Sequence, residues 1–298
     1  MKLLPSLKQL EYLVALAETK HFGKASERCH VTPSTLSAGI RDLEELLGVL
    51  LAERNKRHVH ITSIGDEIAL RARHLLRDAE DIMELAISNR EPMTGELKLG
   101  VIPTIGPYLL PRVLTGLQAK YPALRLLLEE NLTDNLLDRL QQGKIDVALI
   151  ALPYNIKGFQ SIALFKDEFL FACNQKHNLS QKQIISVNDL HNQPLMLLEE
   201  GHCLRSHVLD VCEQHYGRSQ FEASSFHTLV QMVAIGIGVT LLPKLAIDAN
   251  ITDGMDIKVI PLAASASRQV GLVWRGSSLR KHEYELLGKA IYSEYLTV

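Results

Sequence analysis

The sequence predicts a chain of the α/β class: an N-terminal winged helix-turn-helix, a long linker helix, and then a two-lobed α/β domain. Three observations predict it. Residues 6–61 read as three short amphipathic helices followed by a weakly alternating basic hairpin. Residues 64–86 carry an apolar repeat close to a heptad, and from Leu97 onward strands alternate with helices. A chain of 298 residues is long enough for two domains with real cores. Hydrophobic residues make up 46% of it, yet no apolar run approaches the ~18 residues of a membrane span, so no membrane partner is expected.

Pro5, Gln9, Glu11 and Glu18 interrupt any signal-peptide core, so the N-terminus is read as retained structure and the chain as cytoplasmic. Thiols stay reduced in that compartment. Four cysteines without a Cys-x-x-Cys pair or zinc-finger spacing are therefore not a disulfide framework. A net charge of −2 excludes a uniformly basic coat but not a local basic patch.

The first helix is expected from Ser6 to about Lys20. Ser6 with Gln9 makes a capping box, and Leu7, Leu10, Val14 and Ala17 form its apolar stripe. A second short helix follows Phe22-Gly23 and turns Ala25 and Cys29 inward. Thr32 and Pro33 supply the N-cap and first turn of a third, which buries Leu36, Ile40, Leu43 and Leu47 and stops at Gly48. Two short helices around a tight turn, with small Ala25 at their crossing, fit a helix-turn-helix. Ser34, Thr35 and Ser37 then lie on the first turns of its recognition helix, where side chains reach major-groove base edges. Leu50 to Ile61 reads as a hairpin, or wing, holding Arg54, Lys56, Arg57, His58 and His60. Residues 1–65 contain nine Lys/Arg against seven Asp/Glu, so positive charge concentrates at this tip. Arg41, Arg54 and Arg57 are the expected phosphate contacts, against the plainer alternative of a solvated surface turn.

From Thr62 to about Asn89 a long helix carries Ile64, Ile68, Ala72, Leu75, Ala79, Ile82 and Ala86 at spacings of three and four. Alanines between larger residues suit close helix–helix approach, so this helix is expected to dimerise the chain. An amphipathic helix lying on its own domain would show a similar stripe. Glu91-Pro92-Met93-Thr94-Gly95 breaks the pattern as a linker. The expected boundaries are 1–62 for the winged helix-turn-helix, 63–90 for the linker helix and 95–298 for the regulatory domain. In the last, strands are expected at Leu97–Val101, Leu124–Leu128, Ile145–Ile150, Phe169–Cys173, Leu195–Leu198, Val239–Leu242 and Val270–Trp274, with a final helix from Arg280 to Tyr295. Their alternation with helices predicts parallel sheets covered on both faces, as two lobes with a cleft between.

The chemistry is expected in the stretch from Leu195 to Cys212, LMLLEEGHCLRSHVLDVC. An apolar strand leads through Glu199-Glu200-Gly201 into a helix, and Cys203 stands at the junction between His202 and Arg205. A helix N-terminus and nearby cations favour a thiolate, while the two glutamates oppose it. Cys212 follows nine residues later. Nine helical residues rise about 13 Å and turn through roughly 900°, which puts the sulfurs on opposite faces. A disulfide between them needs the segment to unwind. The ordinary alternative is a buried helix cysteine and an unremarkable loop thiol. Cys203, His207 and Cys212 touch one helical face too loosely for a metal site, and no fourth ligand is evident, so neither metal nor cofactor is expected. Cys29 and Cys173 read as small buried hydrophobes.

The whole arrangement resembles the LysR-type transcriptional regulators. The residues that carry the likeness are Phe22, Ala25-Ser26, Val31-Thr32, Leu36-Ser37, Ile40, Leu43-Glu44, Leu46 and Gly48, then Ile61-Thr62-Ser63-Ile64-Gly65, and Gly236-Ile237-Gly238-Val239-Thr240-Leu241-Leu242-Pro243. The run from Ile102 to Pro111 and the motif from Leu198 to Arg205, with Cys212 at the matching offset, resemble the family's peroxide-sensing branch. That resemblance implies a periplasmic-binding-protein-like regulatory domain. It implies that Cys203 reacts with hydrogen peroxide and that Cys212 resolves it into a reversible disulfide. Thr104, Thr133 and His202 would shape the peroxide pocket, and Arg205 and Arg268 would support it. Implied partners are double-stranded DNA at pseudo-palindromic promoter sites, RNA polymerase, and further copies of the chain as homodimer and homotetramer. One departure stands out: the family usually has glutamine where Pro33 stands, so any base contact made by that amide is absent.

Two other functions fit parts of the pattern. A thiol peroxidase would use Cys203 for turnover but leaves the helix-turn-helix and the seam without purpose. An ordinary LysR-type regulator would answer a metabolite in the interlobe cleft and would not need Cys203.

Overall fold

The computed structural model describes residues 4–54, 59–88, 92–191, 193–212 and 222–296. It has two compact units that divide in sequence near residue 90.

The first unit opens with α1 (Leu7–Thr19), α2 (Phe22–Arg28) and α3 (Pro33–Leu47). Ser6 and Gln9 close the capping box expected from their spacing, and Thr32 caps α3 by accepting the Thr35 amide. Gly48 ends α3 at φ +70°, a left-handed conformation that costs glycine nothing. Ala25, Cys29, Leu36, Ile40 and Leu43 are buried as expected. Leu7 and Leu47 are not: they lie in the outermost turns of their helices, and α1 instead buries Leu13 and Leu16. The antiparallel pair β1 (Ala52–Arg54) and β2 (Val59–Ile61) forms the base of the wing. Then α4 (Ser63–Ser88) packs Ala69 and Ala72 into the same core as α1.

The second unit begins with β3 (Gly95–Val101), α5 (Gly106–Lys120), β4 (Leu124–Glu130), α6 (Thr133–Gln141) and β5 (Val147–Leu152). The 16-residue strand β6 (Phe159–Asn174) follows. Next come the single turn α7 (Val187–Leu190), β7 (Leu197–Leu198), α8 (Cys203–Val211), β8 (Glu222–Ala223), α9 (Phe226–Ala234), β9 (Thr240–Pro243) and α10 (Lys244–Asp248). The chain closes with β10 (Ile257–Pro261), β11 (Ser267–Arg275) and α11 (Lys281–Leu296).

Two hydrophobic cores make the two lobes: one around β3, β5 and α11, the other around β7, α9 and β9. The expectation of parallel sheets is corrected here. Among the described strands β3–β4, β3–β5 and β7–β8 pair parallel, whereas β11 lies antiparallel between β5 and β6. The physical reason is the return of the chain: after building the second lobe it re-enters the first through β11, and β/α alternation carries no sign of that. The first ten residues of β6 pair with β11 and its remainder pairs with β9 and β10, so one strand runs through both lobes.

Candidate functional site

Cys203 is the first residue of α8 and is only 4% exposed. The loop before it turns at Gly201, whose φ is +95° and whose Cβ, if present, would meet Leu132 at 3.1 Å. A side chain there would be strained twice, once by the backbone and once by contact. This turn folds His202 and Cys203 against the loop between β3 and α5 and the start of α6. Ile102, Pro103, Thr104, Leu132, Thr133, Gly201, His202 and Cys203 wall a niche with no water-sized free space.

The polar groups of the niche are few and buried. Thr133 Oγ1 has no hydrogen-bond partner among the described residues. Thr104 Oγ1 accepts a bond from Arg268 Nη1 at 2.8 Å, and the Thr104 carbonyl accepts from Nη2 at 2.8 Å. Arg268 is itself buried and paired through Nε with Asp167 at 3.0 Å. Burial holds the His202 imidazole below its ordinary pKa, against opposing contributions from the Ser224 backbone and Glu199, so the ring is neutral at pH 7. On the other side of the thiol lies a pocket of about 260 Å³ lined by Asp134, Tyr154, Glu200, Gly201, His202, Cys203, Arg205, Ser206 and Leu209. There the Tyr154 hydroxyl donates to Asp134 at 2.6 Å.

Of the five residues expected around the thiol, Thr104, Thr133 and His202 line the niche with Cys203. Arg268 stands behind Thr104. Arg205 lines the outer pocket, but its guanidinium is taken by the Leu198 carbonyl at 2.9 Å and by Glu222 at 2.8 Å, which anchors the first turn of α8 to β7 and β8. Cys212 is the C-cap of α8 and fully buried, and burial pushes its thiol up to about 11. Cys203 packs into the first lobe's core and Cys212 into the second's, so intact α8 keeps both thiols free and apart. Asp167 and Tyr154 were missed in the sequence, and His207, weighed there only as a metal ligand, instead bonds the Pro153 carbonyl through Nε2 at 3.0 Å. Asp167 lies ahead of the strand expected from Phe169, in the part of β6 that the sequence did not disclose, and Tyr154 stands alone, so only tertiary packing reveals them. Among the described residues no cluster of metal-ligating side chains occurs.

At the other end of the chain, Ser34, Thr35 and Arg41 are exposed on α3 and Ser37 is half-buried. The Ser34 and Thr35 hydroxyls each lie 2.8 Å from the hydroxyl of the capping Thr32. Arg54 ends β1, and Arg57 lies outside the described residues, as do Lys56 and His58. Along α4, Ile64, Leu75 and Ile82 are 42%, 54% and 61% exposed. At 100° per residue the three fall within about 20° of one another, a stripe the unit's own core leaves open.

Residues 7–66 match the family model of the bacterial regulatory helix-turn-helix protein, lysR family, and residues 90–291 match the LysR substrate binding domain. The chain is 40% identical over 290 residues to the HTH-type transcriptional regulator EstR of Acinetobacter baylyi, covering 96% of each. It is 38% identical over 288 residues to the DNA-binding transcriptional dual regulator OxyR of Escherichia coli, covering 96% of this chain and 94% of that one. Among solved structures it is similar to a full-length OxyR variant from Pseudomonas aeruginosa, with a TM-score of 0.81, 39% identity, and coverage of 96% of this chain and 94% of that chain.

Proposed function

The chain belongs to the LysR family of bacterial helix-turn-helix regulators, and from that premise we infer that it is a hydrogen-peroxide-sensing transcriptional regulator of oxidative-stress genes. The switch is a reversible Cys203–Cys212 disulfide. The observation that carries this reading is the closed niche joining the Cys203 thiol to Thr104, His202 and an unpartnered Thr133 hydroxyl. Its donors suit a ligand of two oxygens, for which the closed walls must part slightly, and the adjoining pocket of 260 Å³ is smaller than most metabolite sites.

The Cys203 thiolate attacks one peroxide oxygen: an S–O bond forms, the O–O bond breaks, and hydroxide leaves to become water on taking up a proton. Thr104, His202 and Thr133 hydrogen-bond the two oxygens and the departing charge. The sulfur, now a sulfenic acid, is bulkier and more polar than the niche accommodates. As α8 loosens, the Cys212 sulfur attacks Cys203, the S–O bond breaks, water leaves and the disulfide closes. Peroxide is consumed once per switching event, in keeping with a family of regulators rather than an enzyme class.

The DNA-binding reading rests on α3 and the wing: Ser34, Thr35 and Ser37 for base edges, Arg41, Arg54 and Arg57 for phosphates. In this reading residues 1–62 bind DNA, 63–90 dimerise the chain through the open stripe of α4, and 95–298 sense. Dimers pair into tetramers on pseudo-palindromic promoter sites in the cytoplasm and act on RNA polymerase.

Mass spectrometry of the peroxide-treated protein tests the switch. A Cys203–Cys212 disulfide is expected, and its absence alongside a working peroxide response would sink the mechanism. A second reading, a regulator answering a metabolite in the outer pocket, is favoured by the 40% identity to EstR, whose name carries no peroxide. Cys203→Ser separates the two, because it abolishes a peroxide response and leaves a metabolite response in place.

A further inference from the structure

Behind the niche runs a chain of buried hydrogen bonds that the thiol chemistry above does not use. The Leu245 amide donates to one Asp167 oxygen at 2.9 Å, and Arg268 Nε donates to the other at 3.0 Å. The two remaining arms of the Arg268 guanidinium both close on Thr104, at its hydroxyl and its carbonyl. Asp167 and Arg268 are each 1% exposed, so no water competes for these groups.

The geometry has a directional consequence. Thr104 Oγ1 accepts from Arg268, so its own proton must point elsewhere, and the wall that Thr104 shares with Cys203, Thr133 and His202 is the niche. Arg268 imposes this only while its planar fork is held at the right angle, and the group that fixes the angle at Nε is Asp167. We propose that Asp167 is a positioning residue for peroxide reduction: by clamping Arg268 it makes Thr104 a hydrogen-bond donor into the Cys203 niche. The inference rests on the peroxide-sensing reading. It also ties the donor to α10, because Leu245 packs in the first core while its neighbour Ala246 packs in the second. An ion pair present for stability alone is replaceable by apolar packing and needs no such aim at both oxygens of one niche residue.

The test is made on the full-length protein carrying Cys212→Ser, which isolates the first step. Cys203 modification is followed by mass spectrometry with two reagents, hydrogen peroxide and iodoacetamide. Iodoacetamide needs the thiolate but no donor from Thr104. Asp167→Asn is expected to slow the peroxide reaction by about tenfold or more while changing the iodoacetamide rate by less than about twofold. Combined with Thr104→Val, it is expected to add no further loss, because both changes remove the same donor. Equal slowing of both reagents, additive losses, or an unchanged peroxide rate would each overturn the proposal. If Asp167→Asn fails to fold, Arg268→Lys keeps the cation but cannot span Asp167 and both Thr104 oxygens. It is expected to show the same selective loss, and a full peroxide rate there also overturns the proposal. Failure of Cys203 to react with peroxide before Asp167 is touched would instead defeat the sensing reading itself.

Discussion

At pH 7 a thiol held up at about 11 carries its thiolate in only about one molecule in ten thousand. Cys212 is such a thiol as long as α8 keeps it in the second core. Unwinding brings it into water and back to about 8.5. The rate of disulfide closure, followed by quenched mass spectrometry after sulfenic acid has formed, is therefore expected to rise from pH 7 and level near about 8.5. A rise that continues tenfold per pH unit to pH 10 would show that Cys212 attacks from its buried position. Cys212→Ser is expected to accumulate sulfenic acid at Cys203, trapped by dimedone, without a lasting change of state. The acid side belongs to His207, whose Nε2 lies 3.0 Å from the Pro153 carbonyl and therefore carries the ring proton. Its Nδ1 is buried without a partner among the described residues. Burial lowers its pKa first, the Pro153 carbonyl and Asp210 oppose this, and Arg268 adds to it. The unfolded chain then binds the proton more readily than the folded one. Stability is complete above the unfolded value near 6.5 and is lost as the pH falls below it. Urea midpoints of the reduced protein are expected to drop between pH 7 and 5, and to drop less in His207→Gln.

At the scale of the element, α8 and α4 are built for opposite ends. α8 is a nine-residue helix that buries Leu204 and Val208, each worth roughly 1.5–3 kcal/mol. Closing a disulfide loop of about ten residues contributes roughly 2–4 kcal/mol in the other direction, less any strain. Terms this close allow the oxidised and reduced packings to interconvert, which a reversible switch requires. α4 spans 26 residues, about 39 Å, and keeps apolar side chains in water that a soluble helix would ordinarily cover. Leu75→Arg changes a side chain that is 54% exposed, so the melting temperature of the first unit is expected to hold within a few degrees. Sedimentation at micromolar concentration is expected to show the dimer lost. A dimer that survives would move the interface off this stripe.

At the scale of the molecule, one end binds a polyanion and the other reacts with a neutral oxidant, so salt separates them. Arg57→Ala is expected to weaken binding to all DNA sequences alike and to lower the salt slope by about 1, with peroxide reactivity unchanged. An unchanged slope would take the wing off the phosphates. Pro33 is exposed at the first turn of α3 and offers no amide to a base, so the proposed base readout rests on Ser34, Thr35 and Ser37.

Periodicity and capping are local, and they made the helices of the first unit and the length of α4 readable before any coordinates. Ser6 with Gln9, Thr32 with Pro33, and Gly48 mark helix ends through bonds that reach no further than four residues. The motif around Cys203 was legible for a similar reason: Gly201, His202, Cys203 and Arg205 act at one strand-to-helix turn, and nine helical residues settle where Cys212 must lie. Sheet order was not legible, since β11 enters between β5 and β6 from more than a hundred residues away and alternation looks the same for either strand direction. Nor were Asp167 and its grip on Arg268, because Asp167 lies ahead of the strand expected from Phe169 and a carboxylate there reads as a solvent-facing residue. Only the tertiary structure placed it in the interior, where an unpaired charge is too costly to keep and its partner is therefore fixed. By itself the sequence determined the helices of the first unit, the cysteine proposed to react and the family. Folding decided which long-range groups stand behind the thiol, since burial and pairing depend on what the rest of the chain brings alongside.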